Sequence, residues 1–385
     1  MDARLVLRLR GYVAARGTTV LQTRVSPTAT TGLTRTRVAT TITVFVVPRQ
    51  LLDMNDLFER IIAKENLYQA AHRAALGKRF RENISRWRYS LEAEVDKLHV
   101  QLKSGEYFPG YYRVFRIFDP KERQISVAPF RDRVVHHALH DVIEPIIDKA
   151  FIFDSYACRR EKGTHKAIER AQRFLRAKRF CLHGDIQKYF FCVDHAVLRR
   201  LIQRRIKDER LFSLIDRIIG SADSAAQVKG KGIPIGNLTS QFFANLYLNE
   251  LDRFVKFELR QHCYIRYMDD FLLFDDNRQA LQRMRAKIKN FLQEELKLNL
   301  HESKSQVFKT KQGITFLGFR LLAERRRLAS KSVKRIHKRV EKWMSRKDNK
   351  LYSPYGNDDK QASKQASKQA SKQASKQASK QALLP

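Results

Sequence analysis

Cys263-Tyr264-Ile265-Arg266-Tyr267-Met268-Asp269-Asp270-Phe271-Leu272-Leu273-Phe274 is the stretch that decides how this chain is read. Two short apolar runs, 264–266 and 271–274, flank a tight turn that holds two adjacent carboxylates. The pattern predicts a β-hairpin with acids at its tip. Adjacent acids repel each other and ordinarily sit in open solvent. Here hydrophobic strands on both sides place them at the edge of a core. A metal ion is the natural reason to tolerate such crowding, because Mg2+ takes hard oxygen ligands.

A second acid has a similar setting. Residues 180–183, Phe-Cys-Leu-His, predict a strand, and Asp185 follows it, 84 residues before Asp269. That separation lets the chain return in a neighbouring strand. Carboxylates from two adjacent strands can bridge two metal ions about 4 Å apart. One ion lowers the pKa of a primer 3′-hydroxyl. The other holds a triphosphate and stabilises the leaving pyrophosphate. Positioning and charge neutralisation supply most of the rate in such chemistry.

The bulk composition points to a polyanion as partner. Lys and Arg number 76 against 40 acids, a formal net charge of +36. Such an excess predicts salt-dependent binding to phosphate backbones. Ribosome-associated and membrane-surface proteins are also basic, so charge alone does not choose among them. The 385 residues are 43% hydrophobic, enough for a large core and two or more subdomains. Four cysteines, Cys158, Cys181, Cys192 and Cys263, show neither zinc spacing nor a disulfide framework, which fits a reduced, cytoplasmic compartment. The longest apolar run, 44–52, is broken by Pro48, Arg49 and Gln50 and is too short to span a bilayer.

Along the chain, residues 1–53 read as a basic N-terminal extension, with only two acids, Asp2 and Asp53, and no lysine. They fit a transit peptide or, preferably, an over-extended gene start with the working start at Met54, because amphipathic sequence opens there with Leu57, Ile61 and Ile62. From about 54 to 325 helical segments, such as 164–179 and 196–219, alternate with β-rich runs at 112–118, 180–183, 264–274 and 314–321. This is an α+β pattern. Residues 325–346 set many Lys and Arg among Val333, Ile336, Val340 and Trp343, predicting a basic amphipathic helix. From Lys360 the unit Lys-Gln-Ala-Ser repeats. It stacks like charges at i, i+4 and offers nothing larger than Ala to bury, so a disordered tail is expected.

In this order the motifs resemble those of reverse transcriptases. Tyr267-Met268-Asp269-Asp270 looks like the family's catalytic hairpin, and the Asp185 segment like its first palm motif. Lys304, after Leu298-Asn299-Leu300, and Phe316-Leu317-Gly318-Phe319 look like the motifs that close the palm. The matching region runs from about 110 to 320. The resemblance implies a right-hand polymerase with helical fingers (54–180), an antiparallel-sheet palm (181–322), a partial basic thumb (323–353) and the repeat tail (354–385). It implies Asp185, Asp269 and Asp270 as ligands of two Mg2+ ions, and RNA-directed addition of deoxynucleotides to a primer 3′ end. Lys121 and Arg123 match the fingertip residues that hold the triphosphate. Phe190, five residues after Asp185, matches the aromatic gate against a ribose 2′-hydroxyl. Arg131 and Arg133 match the second fingers motif, and Arg335 and Lys338 would meet nucleic acid from the thumb.

The segment Gly232-Ile233-Pro234-Ile235-Gly236-Asn237-Leu238-Thr239-Ser240-Gln241 departs from the retroviral and group II intron forms. Ile-Gly followed by Ser-Gln is similar to the reverse transcriptases of diversity-generating retroelements, as is the run from Asp154 through Arg160. Ile235 and Gly236 would then lie beside the nascent base pair. Ile235 cannot make glutamine's hydrogen bonds, so the resemblance implies error-prone copying opposite adenine and a small basic accessory protein. The competing expectations are a retron or group II intron type enzyme, and a truncated, non-catalytic RNA-binding protein, which the intact Asp185, Asp269 and Asp270 argue against and the short thumb keeps open.

Overall fold

A computed structural model describes residues 9–14, 18–23, 57–118, 122–222 and 228–351. The expectations for a start at Met54, for Lys121 and for the repeat tail lie outside the described residues. The first described elements are a pair of antiparallel strands, β1 (Leu9–Ala14) and β2 (Thr18–Thr23), which the sequence pattern does not predict.

Four helices follow: α1 (Leu57–Ile62), α2 (Lys64–Ala75), α3 (Glu82–Tyr89) and α4 (Leu91–Lys103). The apolar positions Leu57, Ile61, Ile62 and Leu67 are all buried, as their spacing predicts. An antiparallel hairpin, β3 (Arg113–Ile117) with β4 (Arg123–Val127), leads into α5 (Phe130–Asp148), which packs against α1 and α2. Next come α6 (Thr164–Ala177), β5 (Phe180–Asp185), α7 (Tyr189–Cys192), α8 (His195–Gln203) and α9 (Glu209–Ser221). The helix expected over 196–219 is therefore two helices. Asp208 accepts hydrogen bonds from the backbone N–H groups of Arg210 and Leu211 at 3.0 and 3.1 Å, and so caps a new helix instead of continuing the old one.

Helix α10 (Leu238–Arg253) is buried on nearly every side. It runs through a π-helical turn, Phe254–Glu258, to β6 (Tyr264–Tyr267) and β7 (Asp270–Asp275), the hairpin read from the sequence. Helix α11 (Arg278–Glu294) and β8 (Gln306–Lys309) follow. The single run expected over 314–321 is two strands, β9 (Ile314–Phe316) and β10 (Phe319–Leu321). Leu317 and Gly318 both take positive φ, 49° and 84°, and fold the run back on itself. A short β11 (Arg326–Leu328) completes a three-stranded sheet before α12 (Ser330–Leu351). The basic helix thus begins later than residue 325, because the first of those residues pair with β10.

The central sheet has the order β6-β7-β5-β8 and is antiparallel throughout. Helix α6 covers one face, where Ile168, Ala171 and Phe174 cluster with Cys181, Ile265, Leu272 and Phe274. On the other face Leu182, Tyr264, Phe271 and Leu273 join Leu281, Ile288 and Leu292 of α11. The two sets alternate along each strand, as a period of two requires. Burial on both faces explains why the run Phe271-Leu272-Leu273-Phe274 is uninterruptedly apolar. Gly184 has a specific duty here. A Cβ at that position would fall 2.1 Å from the Phe271 ring, so only glycine lets that ring lie across β5. The fold is the α+β arrangement that the sequence pattern predicts.

Candidate active site

The register of the central sheet brings the acids together. Asp185, the last residue of β5, lies opposite Asp270, the first residue of β7. Asp269 is in the turn just before it, and its carbonyl accepts a hydrogen bond from Ile186 N at 3.2 Å. Like charges opposite each other across two strands are destabilising on their own. Two basic side chains meet them. Lys304 is ion-paired with Asp185, and His183 Nε2 lies 2.5 Å from Asp270 Oδ1.

The electrostatics record the crowding. Burial, joined by the charges of Asp185 and Asp270, pushes the Asp269 carboxyl up to about 6, against the pull of a backbone hydrogen bond and of Lys304. Burial alone would lower His183, but its hydrogen bond to Asp270 and the nearby carboxylate charges raise it. A site in which carboxylates resist ionising together is one that gains from added positive charge.

The turn is fixed from behind by a buried ion pair. Arg266 and Asp252 have fully buried side chains and meet through two hydrogen bonds of 2.7 Å. Arg266 also donates to Asn245 Oδ1 at 3.1 Å, to Ser155 Oγ at 3.1 Å and to the Met268 carbonyl at 3.2 Å. Met268 takes a positive φ of 55°, a conformation that costs a non-glycine residue energy unless its surroundings hold it. The guanidinium on the Met268 carbonyl is part of that hold. Asp154, Ser155 and Tyr156 run along β6, with Arg266 N donating to Asp154 O and Tyr156 N to Arg266 O, each at 3.0 Å. The run of sequence from Asp154 therefore flanks the hairpin.

The other predicted residues fall in several places. Phe190 is half-buried, its ring edge-on to Tyr189 at 5.6 Å, and its carbonyl accepts from Ile233 N at 2.8 Å. That bond ties the chain after Asp185 to the loop of Ile235 and Gly236. Ile235 O in turn accepts from Ser126 N of β4 at 2.9 Å. Gly236 has φ 118°, and a Cβ there would meet Ile125 Cγ2 at 3.1 Å and Ser126 O at 3.3 Å. The hairpin β3–β4 is thus docked onto this loop, and Arg123 is exposed at its outer end.

Arg131 and Arg133 have structural commitments that the sequence did not reveal. Arg131 stacks over Tyr107 and donates to Phe108 O at 2.6 Å and to the buried Asp132. Arg133 is half-buried over the Phe130 ring, and burial and the charge of Arg81 lower its pKa. Arg335 and Lys338 are exposed on α12, far along the chain from the carboxylates. The sequence reading missed His183, Arg266, Asp252 and Asn245. Only Arg266 left a trace, as a charged residue at an inward position of an apolar strand.

The three acids present hard oxygens, as Mg2+ requires. Among the described residues no three Asp, Glu, His or Cys side chains form a ready-made metal cage. Mg2+ does not need one, since it is commonly held by one or two carboxylates completed by substrate phosphates and water. The acids at the sheet edge fit that mode of binding.

Acids from neighbouring strands meeting at one end of an antiparallel sheet make the arrangement that nucleotidyl transfer needs. The family model described as reverse transcriptase (RNA-dependent DNA polymerase) matches residues 119–321, more than half of the chain, and the chain belongs to that family. The enzyme class this domain defines is the RNA-directed DNA polymerase. The chain is similar to protein YkfC of Escherichia coli strain K12, 28% identical over 281 residues that cover 62% of this chain and 73% of that one. It is also similar to the group II intron-encoded protein LtrA of Lactococcus lactis subsp. cremoris, at 25% identity over 302 residues. That match covers 61% of this chain and half of LtrA. Among solved structures, an apo telomerase from Candida tropicalis aligns with a TM-score of 0.47 at 12% identity, covering 63% of this chain and 54% of that one.

Proposed function

We propose that the chain adds deoxynucleotides to a primer 3′ end on an RNA template, with the chemistry at Asp185, Asp269 and Asp270. The observation that carries this reading is the register that sets Asp185 opposite Asp270 beside the Asp269 turn. Two Mg2+ ions held by these carboxylates would activate the 3′-hydroxyl and neutralise the triphosphate. The protein's own part is positioning. Lys304 holds Asp185, His183 holds Asp270, and Arg266 holds the turn. Phe190 screens the sugar of the incoming nucleotide, while Arg123 reaches its phosphates from the β3–β4 hairpin, a role that the sequence pattern also assigns to Lys121. In this reading α1–α5 with that hairpin are fingers, the central sheet with its covering helices is the palm, and α12 is the first thumb helix, with Arg335 and Lys338 on nucleic acid.

Within the family, the Ile235-Gly236 and Ser240-Gln241 pattern favours a diversity-generating retroelement enzyme that copies with errors opposite adenine, aided by a small basic accessory protein. The intron-encoded relative favours a second reading, a group II intron type enzyme. Primer extension on a defined RNA with Mg2+, followed by sequencing, tests both. Metal-dependent cDNA that is lost in Asp269→Ala supports the polymerase. Errors concentrated opposite adenine support the first subgroup, and an even, low error spectrum supports the second. Folded protein that binds RNA without extending the primer overturns the catalytic assignment. Among the described residues no helix is long and apolar enough to cross a membrane.

A further inference from the structure

Tyr267, the last residue of β6, lies opposite Asp270 across the hairpin, and Asp270 lies opposite Asp185. Residues directly opposite each other on paired strands share a face of the sheet. Tyr267, Asp270 and Asp185 therefore form one row, on the face that α6 covers, and Tyr267 packs against the cluster there. Arg266 takes the other face, where it pairs with Asp252 of α10 and donates to the Met268 carbonyl at 3.2 Å. The turn that carries Asp269 thus has two sides, and Arg266 grips one of them.

Thr164 meets the other side. Its hydroxyl donates to the Tyr267 hydroxyl at 3.2 Å, between residues 103 positions apart. Thr164 is the first residue of α6, and its place is closely determined. Gly163 before it has φ 101°. The Gly163 N–H donates to Tyr156 O at 3.0 Å, and Tyr156 N donates to Arg266 O at 3.0 Å. Two backbone bonds therefore tie the start of the helix to the strand that ends in Tyr267. Behind Thr164, the side chains of Ala167, Ile168 and Ala171 are buried against the sheet. Gln172, further along α6, donates to the carbonyls of Leu322 at 3.0 Å and Ala323 at 3.3 Å.

Both Thr164 and Tyr267 are only half-buried, so water could satisfy either hydroxyl and the bond adds little to folding. Its effect is directional. Met268 stands at φ 55°, and such a residue keeps its conformation only where its surroundings hold it. A phenol fixed at its tip, on a backbone fixed by strand pairing, cannot swing, and it fixes the residue that leads into the turn.

We propose that Thr164 is a positioning residue for the catalytic acids. Through the Tyr267 hydroxyl it clamps one face of the turn, while Arg266 clamps the other. The catalytic consequence rests on the polymerase reading, whereas the clamp rests on the hairpin geometry.

Thr164→Val keeps the shape of the side chain and removes its hydroxyl, and Tyr267→Phe removes the partner. Hydrogen–deuterium exchange of the 267–273 peptide reads the turn in the full chain without substrate. Each single variant is expected to exchange about fivefold faster there, the factor that one neutral hydrogen bond commands. The double variant should be no faster than either, and Thr164→Ser should match the wild type. In single-nucleotide extension, kcat should fall about tenfold in both single variants and in the double, at unchanged KM for nucleotide and with a small fall in Tm. Equal exchange in all variants would overturn the clamp. So would losses from Thr164→Val that add to those of Tyr267→Phe, or that Thr164→Ser shares, because either would assign Thr164 to the start of the helix alone. Normal extension by Thr164→Val would overturn the catalytic role. If the exchange pattern appears but the wild type extends no primer, the clamp stands and the polymerase reading falls, so the two can fail separately.

Discussion

The β6–β7 hairpin is held from within, whereas strands β3 and β4 are held from outside. In the first hairpin seven of the ten strand residues are buried, and a fully buried Arg266–Asp252 pair reaches into the turn itself. Among the described strand residues of the second only Ser126 is buried, and its N–H donates to Ile235 O while Ile125 and Ser126 line the space beside Gly236. The contrast follows from the role proposed for each. Carboxylates that position reacting atoms must stay within a fraction of an ångström of one geometry. An arm that admits each nucleotide in turn works better with few buried contacts and low local stability.

The largest effect tests the rigid side. Asp269→Asn is expected to lower single-nucleotide extension by a factor on the order of 10³ at unchanged RNA affinity; a drop of only a few fold would remove this acid from the chemistry. Arg266→Met leaves Asp252 charged and buried without its cation, with the Tyr264 hydroxyl at 2.8 Å as its remaining side-chain donor, at a cost of about 3–5 kcal/mol, seen as a lower Tm. Adding Asp252→Leu should recover most of the Tm, because a buried pair is often replaceable by apolar residues. Extension should nevertheless stay down about 100-fold, since the Met268 carbonyl has lost its donor. Recovery of rate together with Tm would show that the pair serves stability alone.

The helical side has a different electrostatic character, which pH exposes. His136 of α5 is fully buried, and burial, with the charges of His137 and Arg133, holds it down at about 3. The unfolded chain binds this proton from about pH 6.5 and the folded chain only near 3. Stability from this group is therefore complete above pH 6.5 and falls by about 1.4 kcal/mol per pH unit below it, levelling near pH 3. Urea melts against pH should show that acid limb, and His136→Phe should flatten it. An unchanged limb would assign the acid sensitivity elsewhere.

Smaller effects are expected at the docked arm. Gly236→Ala adds a Cβ against Ile125 at a positive φ and should raise the KM for nucleotide about fivefold while costing roughly 1 kcal/mol of stability, seen as a small fall in Tm; a fall as large as that of Arg266→Met would make the arm part of the rigid frame. Ile235→Gln is the mildest change. It should lower misincorporation opposite adenine by about threefold, within the range that one polar contact commands, and an unaltered error spectrum would detach fidelity from this residue.

The chemistry of the sheet was far more legible in the sequence than that of the arm or of the arginines. Alternating apolar residues around Asp269 and Asp270 are a local signal, and so is the strand before Asp185. Arg131 reads like any basic residue near a nucleotide, but its guanidinium is engaged with Phe108 and Asp132. The split of 196–219 depended on one capping side chain, Asp208, within a stretch whose apolar spacing stays helical on both sides.

By itself the sequence determined the hairpin, the position of its acids, the α+β alternation and the strongly basic character, because each is written in residue type and short-range period. The tertiary structure alone decided which charges face each other. Asp185 opposite Asp270, Lys304 on Asp185, His183 on Asp270 and Arg266 beneath Met268 join residues that are up to 119 positions apart. Period-two alternation tells which face a side chain takes but not what the rest of the chain brings to it. That is settled only when strands pair in one register and the cost of burying each charge selects its partner.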